Sequence, residues 1–361
     1  MSTKANALVC YHANCVDGLF AARNFHNYIE EAHHDVTYHP INYGTDEQLG
    51  FDGDLEAFDV IFFVDFCPTA PILRTLLENE DRKIVVLDHH ERAKINLMSF
   101  PAHQYNNLIV VLADNLSGAG LVESMAGDLN LWPFYERLEG NELRTFTTQQ
   151  GVELLTNCDI ERHIDIDLLD NFTKIVQGRD LWLNGTVEKQ KGLYLDAFLK
   201  HHKLVQTPPD KLDSILITFG DFDAIVSSGQ LIFETVNALC AHMLKYALPG
   251  SIEINDTKVD VLVGMCIQGY ASTFGELGYS NKPNPTIVIG IQAYTNEGRV
   301  ELSFRCNDGA NVDAIAHDLF NGGGHVKASG ARMEADTYSP SDILARVLHY
   351  IQSNPEKVLT Q

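Results

Sequence analysis

Residues 84–90 read Ile-Val-Val-Leu-Asp-His-His, four apolar residues that run straight into a carboxylic acid and two imidazoles. Carboxylate and imidazole together bind divalent metal ions and carry protons in catalysis. Two further runs end the same way. Ala7-Leu-Val-Cys-Tyr11 leads into His12-Ala-Asn-Cys15-Val-Asp17-Gly18, and Val60-Ile-Phe-Phe-Val64 leads into Asp65. One acid at a strand end is as easily a turn residue or a helix cap. Three such ends point to one shared metal site.

The elements that must position these groups follow from the runs themselves. A short continuous apolar run marks a strand buried on both faces, as in a parallel α/β sheet, and such sheets bind ligands at the carboxyl ends of their strands. From residue 7 to about 181, strand-like and helix-like segments alternate, the pattern of a doubly wound sheet. The spacing predicts helices over 19–29 and 72–78, the second opened by Pro68 and Pro71. A fourth strand over 108–112 leads to Asp114 and Ser117-Gly118-Ala119, a helix entry with Ser117 as a simple cap. Residues 42–57 read as loop and short helix, 175–182 as another apolar lead-in to an acid (Asp180), and 189–209 as irregular and helical spacer up to Pro208-Pro209.

The stretch 222–248 carries Ile225, Ile232, Val236, Leu239 and Met243 at helical spacing, and Pro249-Gly250 ends it. Strands follow over 259–265, 286–292 and 300–304, then a helix over 312–320 with Asn311 as cap, and a closing helix over 341–351. The expected organisation is α/β, with a parallel-sheet domain at 1–215, a linker helix at 216–249 and a smaller mixed α/β domain at 250–361. The working site is expected in the cleft between the domains.

At 361 residues, 45% hydrophobic and 21% charged, the chain has the balance of a two-domain soluble enzyme. No apolar run approaches the roughly 20 residues that span a bilayer, and no leader pattern opens the chain, so no membrane partner is expected. Seven scattered cysteines with no CxxC pair suit a reducing cytoplasm. The net charge of −23 opposes tracking along a long nucleic acid, which is bound through Lys and Arg. It leaves room for a small anionic ligand in a local metal-rich pocket.

His12-x-x-Cys15-x-Asp17-Gly18, Val64-Asp65, Asp88-His89-His90, Arg179-Asp180-Leu-Trp182 and Gly322-Gly-Gly-His325 occur in the order of the DHH–DHHA1 phosphoesterase superfamily, which the chain resembles from about residue 7 to 335. The resemblance implies a two-metal site, usually manganese, in the first domain and a substrate-binding second domain. His12, Asp17, Asp65, His89 and Asp180 would then be metal ligands, with Asp65 a bridge. His90 would face the substrate phosphate or protonate the leaving oxygen, and Asp88 would orient an imidazole. Many relatives have an acid where this chain has Cys15. The thiol either coordinates, which favours zinc or iron over Mn²⁺, or stays out of the site.

Towards the C-terminus, Gly322, Gly323 and Gly324 would let backbone N–H groups approach an anion, with His325 beside them. Arg305 offers a planar fork for phosphate oxygens. A flexible turn and a surface ion pair are the plainer readings of these two features. His33-His34 and His201-His202 read as surface pairs, Cys67 as packing and Trp182 as a core or interdomain residue. The resemblance implies hydrolysis of short linear oligoribonucleotides, above all dinucleotides to mononucleotides, by metal-activated water. Alternatives are a nucleotide-bisphosphate phosphatase or exopolyphosphatase, and a nucleotide-binding regulator with an impaired metal site. The sequence leaves the oligomeric state open.

Overall fold

The computed structural model describes residues 5–27, 34–42, 49–90, 93, 97, 100–101, 104–113, 115–127, 144–147, 153–156, 170–294, 298–334 and 339–360. Asp114 and His33 lie outside them. The chain divides into two units, Met1–Ile232 and Phe233–Gln361.

The first unit is built on a parallel sheet of β1 (Ala5–His12), β2 (His34–Ile41), β3 (Val60–Val64), β4 (Lys83–Asp88) and β5 (Leu108–Leu112), in the order β2-β1-β3-β4-β5. Its side chains alternate between two apolar layers, as a sheet covered on both faces requires. Val9, Phe62, Val85 and Ile109 pack under α1 (Val16–Phe25). Leu8, Phe63, Val86 and Val110 pack against Ile72, Leu73, Leu76 and Leu77 of α2 (Ala70–Leu77) on the other face. Helix α3 (Gly118–Gly127) lies beside α1 and places Leu121 and Val122 in the same layer. Strands β6 (Arg144–Thr147) and β7 (Glu153–Thr156) make a separate antiparallel pair.

A second layer of helices explains why α1 is buried all round. Leu19 and Phe20 point away from the sheet and pack with α4 (Asn171–Asp180), α5 (Val187–His201), α6 (Pro209–Phe219) and the start of α7 (Phe222–Leu244). Leu195, Phe198, Leu212, Leu216 and Ile225 fill this layer. Burying each such side chain contributes about 1.5–3 kcal/mol.

The second unit is a six-stranded sheet, in the order β12-β13-β11-β10-β9-β8. It comprises β8 (Leu248–Ile254), β9 (Thr257–Met265), β10 (Thr286–Tyr294), β11 (Arg299–Cys306), β12 (Gly323–His325) and β13 (Ala328–Glu334), and only the β9–β10 pair is parallel. Helix α8 (Ala271–Tyr279) covers one face, where Gly275 lies against Arg305 and Gly278 against Val288. On the other face α9 (Val312–Phe320) and α10 (Pro340–Ser353) pack Ile315, Phe320, Ile343 and Val347 over Val261, Ile289 and Phe304. A last turn, α11 (Pro355–Val358), buries Val358.

Four expectations need correction. A strand, β2, lies where none was expected: its polar residues and Pro40 suit an edge, where a missing N–H costs no ladder bond. Asp180 ends a helix rather than following a strand, because Ile175 and Val176 are the buried stripe of α4. Helix α7 stops at Leu244, and Pro249-Gly250 sit inside edge strand β8, where Gly250 gives room to Leu344 and Leu348. Finally, α7 is long and apolar enough to cross a membrane by length and composition alone. That reading is opposed by Asp223 and Glu234 within it and by buried Ile225 and Val226.

Candidate metal centre

The register of the sheet brings the chemistry together. Tyr11 pairs with Val64, and Val64 with Leu87, so the three strands reach the same level at their carboxyl ends. The next residue of each is His12, Asp65 and Asp88, followed on the last by His89 and His90. Asp65 leaves its strand in the left-handed region, at φ 54°, which turns the chain at the level of the cluster. Its carboxylate is fully buried. One oxygen lies 3.1 Å from His89 Nε2, and the other 3.6 Å from His12 Nδ1.

Asp17 enters from the first turn of α1. Its two carboxylate oxygens accept from the backbone N–H groups of Gly118 and Ala119, at 2.6 and 3.0 Å, so the start of α3 holds it. Gly118 is there by necessity. A Cβ on it would stand 2.4 Å from the Asp65 Cβ. Asp180 comes from the end of α4, with its carboxylate 3.3 Å from His89 Nε2. His89 thus faces three carboxylates, the third being Asp17 at 3.5 Å.

Charge is balanced locally. Burial lowers the proton affinity of His89, but hydrogen bonds and charge from Asp17 and Asp65 outweigh it and raise the pKa to about 11. His90 behaves alike: burial opposes its charge, while Asp88 at 2.7 Å raises it to about 9. Burial, then the charges of Asp17 and Asp65, raise Asp180 to about 7. For Asp17, burial is overcome by His89 and the Ala119 amide, and the pKa falls to about 2. Burial first, then Asp65, Asp17 and Asp180, push the Cys15 thiol well above its usual value.

These side chains fall into three overlapping groups whose ligand atoms lie within 4.8 Å of one another: His12, Cys15 and Asp65; Asp17, His89 and Asp180; and Asp65, Asp88, His89 and His90. The donor set fits divalent cations. So does an imbalance within it. The Asp65 Oδ2 and Asp88 Oδ2 atoms are buried without a hydrogen bond, which a cation would satisfy. Asp88 Oδ1 accepts from the backbone N–H groups of His89 and His90 and pairs with His90 Nδ1, so it orients the His90 ring and fixes the backbone that carries His89.

Three supports of the site escaped the sequence. Gly118 and Ala119 do more than open a helix capped by Ser117, whose hydroxyl accepts from Gly120 N–H. Gln177, one turn before Asp180, accepts from the Ser117 N–H. Asn24, fully buried, donates to Ala119 O, Glu123 and Thr173 and so ties α1, α3 and α4 together. Beside it Arg23 pairs with Asp170 and Asp213. The run of small residues 117–120 and an Asn one turn beyond Phe20 were the only traces available.

In the second unit, Arg305 hydrogen-bonds Ser272 Oγ at 2.9 Å and the carbonyls of Phe304 and Ser329. None of these partners is a carboxylate, so the surface ion-pair reading does not describe it. Arg305 and His325 flank Ala328 at one register position across three strands. Gly323 and Gly324 belong to β12, and Gly322 and Gly324 lie close against the β13 backbone; the left-handed position after α9 is Asn321. Trp182 is 59% exposed, which corrects its reading as a core residue. Cys67 is buried, with its thiol donating to Pro68 O.

No family model matches the sequence, and no curated protein is significantly similar to it. Solved structures do match. An exopolyphosphatase-related protein from Bacteroides fragilis is 12% identical over 98% of this chain and 94% of its own, with TM-score 0.50. Exonuclease RecJ bound to manganese is 18% identical over 96% of this chain and 90% of its own, with TM-score 0.52. RecJ from Thermus thermophilus, in complex with Mn²⁺, matches 97% of this chain over 52% of its own, at 18% identity and TM-score 0.52. The fold is that of the DHH–DHHA1 proteins.

Proposed function

We propose that this protein is a metal-dependent phosphodiesterase that hydrolyses short linear oligoribonucleotides, dinucleotides to mononucleotides above all. The observation that carries the reading is the meeting of His12, Asp17, Asp65, His89 and Asp180 around buried carboxylate oxygens that lack hydrogen bonds. Those five residues would hold two divalent ions, with Asp65 shared between the two positions. Mn²⁺ is the first choice for the position of Asp17, His89 and Asp180, given its oxygen-rich donor set and the manganese named for both RecJ structures. When bound, the pair supplies Lewis acidity and an activated water for in-line attack at phosphorus.

The remaining steps belong to side chains. Asp88 fixes the His90 ring and keeps it charged at neutral pH, the form that can donate a proton to a departing oxygen. Arg305, Gly322, Gly323, Gly324 and His325 would hold the terminal phosphate or the nucleotide end. The excess of acid over base in the chain, net −23, fits a short substrate better than a long strand.

The test is product analysis by chromatography with Mn²⁺ on a diribonucleotide set, a short RNA, a nucleotide bisphosphate and polyphosphate. Mononucleotides from the dinucleotides, lost in His89→Ala, are the expected result. A second reading, phosphoanhydride cleavage, is favoured by the near full-length match to an exopolyphosphatase-related protein. Orthophosphate from polyphosphate alone would decide for it.

A further inference from the structure

We infer that the two halves of this centre are chemically unlike: His12, Cys15 and Asp65 form a thiol-bearing position that selects zinc, cobalt(II) or iron(II) over manganese, while Asp17, His89 and Asp180 form an oxygen-rich position with Asp65 shared between them. This deepens the proposed function and rests on it for the presence of two ions.

Four observations carry it. The Cys15 sulfur lies with a His12 nitrogen and an Asp65 oxygen inside 4.8 Å. The Asp65 oxygen on the His12 side is fully buried and without a hydrogen bond, so the thiol stands beside a group that calls for a cation. The other Asp65 oxygen lies 3.1 Å from His89, so the residue presents one atom to each half. Of the other described thiols close in sequence to these ligands, Cys10 is fully buried in the apolar layer of the sheet and Cys67 is engaged with Pro68 O.

The chemistry then follows from ligand softness. Thiolate sulfur favours zinc and iron-group ions, whereas carboxylate and water suit manganese. Coordination replaces the S–H bond by an S–metal bond and releases the proton to solvent. The cost is affinity for manganese at that position. A centre of this kind takes two different ions from a mixed supply.

The test uses the full chain, stripped of metal and titrated with Co²⁺ alone, with bound cobalt counted by elemental analysis. A sulfur-to-cobalt charge-transfer band in the near ultraviolet should grow with one of two bound equivalents and be absent from Cys15→Ser and Cys15→Asp. The preference for Zn²⁺ over Mn²⁺ at that position should fall at least tenfold in Cys15→Asp. Because either variant could fail to fold, the wild type supplies a second readout. Among the described cysteines Cys15 alone is partly exposed, and its alkylation, mapped by mass spectrometry, should slow at least tenfold with Zn²⁺ and far less with Mn²⁺.

Two equivalents of bound cobalt with no band would overturn this inference and leave the metal centre standing. Unchanged alkylation with Zn²⁺ bound would do the same. A chain that binds no cobalt would overturn both.

Discussion

Replacing Gly118 by alanine isolates how tightly the centre is built. Gly118 opens α3, where alanine is otherwise the better helix former by about 0.8–1 kcal/mol. Here the added methyl would stand 2.4 Å from the Asp65 Cβ and 2.9 Å from its carboxylate carbon, against 3.4 Å for ordinary contact. Asp65 and α3 must therefore part by about 1 Å, a displacement that can cost ~100-fold in rate when reacting groups are misplaced. The overpacking itself costs about 1–3 kcal/mol, partly offset by the helix gain. The expectation is a protein within about 2 kcal/mol of wild-type stability in urea that loses ~100-fold in dinucleotide hydrolysis and binds Mn²⁺ more weakly by titration calorimetry. Gly120→Ala is the comparator. Its methyl meets the Gln177 amide, whose displacement costs the hydrogen bond to Ser117 N–H but leaves Asp65 in place, so its loss should stay under about tenfold. Wild-type metal affinity and rate in Gly118→Ala would refute the reasoning.

Further outcomes follow from the same geometry. His89 and His90 have folded pKa values near 11 and 9, above their ordinary 6.5, so the stability they contribute is complete below pH 6.5 and lost as pH rises through those values. Asp180, raised to about 7, acts in the same sense from the ordinary carboxylate range upward. The thermal midpoint of chelated protein should therefore fall between about pH 5 and 10, and fall less with Mn²⁺, since an ion displaces those protons; a rise in the chelated protein contradicts this. Asn24→Ala leaves the Ala119 carbonyl and Thr173 without their buried donor and should cost about 1–3 kcal/mol by urea denaturation; a neutral result would deny its tie between helices. Arg305→Met should raise KM for dinucleotides while kcat changes little, and an unchanged KM would remove Arg305 from the substrate contacts.

Much of this fold was legible because its strands are saturated with apolar residues. β3, β4 and β5 stand where uninterrupted Val, Ile, Phe and Leu placed them, and the groups at their ends follow by register. Edge strands β2 and β8 hid behind polar residues and prolines, because an edge makes fewer demands on its sequence. Asp180 could be named but not understood. Its contact with His89 depends on α4 packing against α1, a long-range event with no local pattern. The amides of Gly118 and Ala119 were invisible for the opposite reason: every residue has a backbone, and only the fold decides which amides meet a carboxylate.

The centre also has an order in time. A chain made from its N-terminus has His12, Asp17, Asp65, Asp88 and His89 in hand once the first sheet strands have emerged, while Asp180 follows only after the whole stretch from 90 to 179. An ion caught early would be held by an unfinished grip. When α4 arrives, the same ion would become a clasp between the sheet and the later helices, so that filling the site and seating α4 would be one equilibrium read from two ends. Withdrawing the ion should then be felt first at the joint between α4 and α1, far from the edges where a folded chain ordinarily begins to fray.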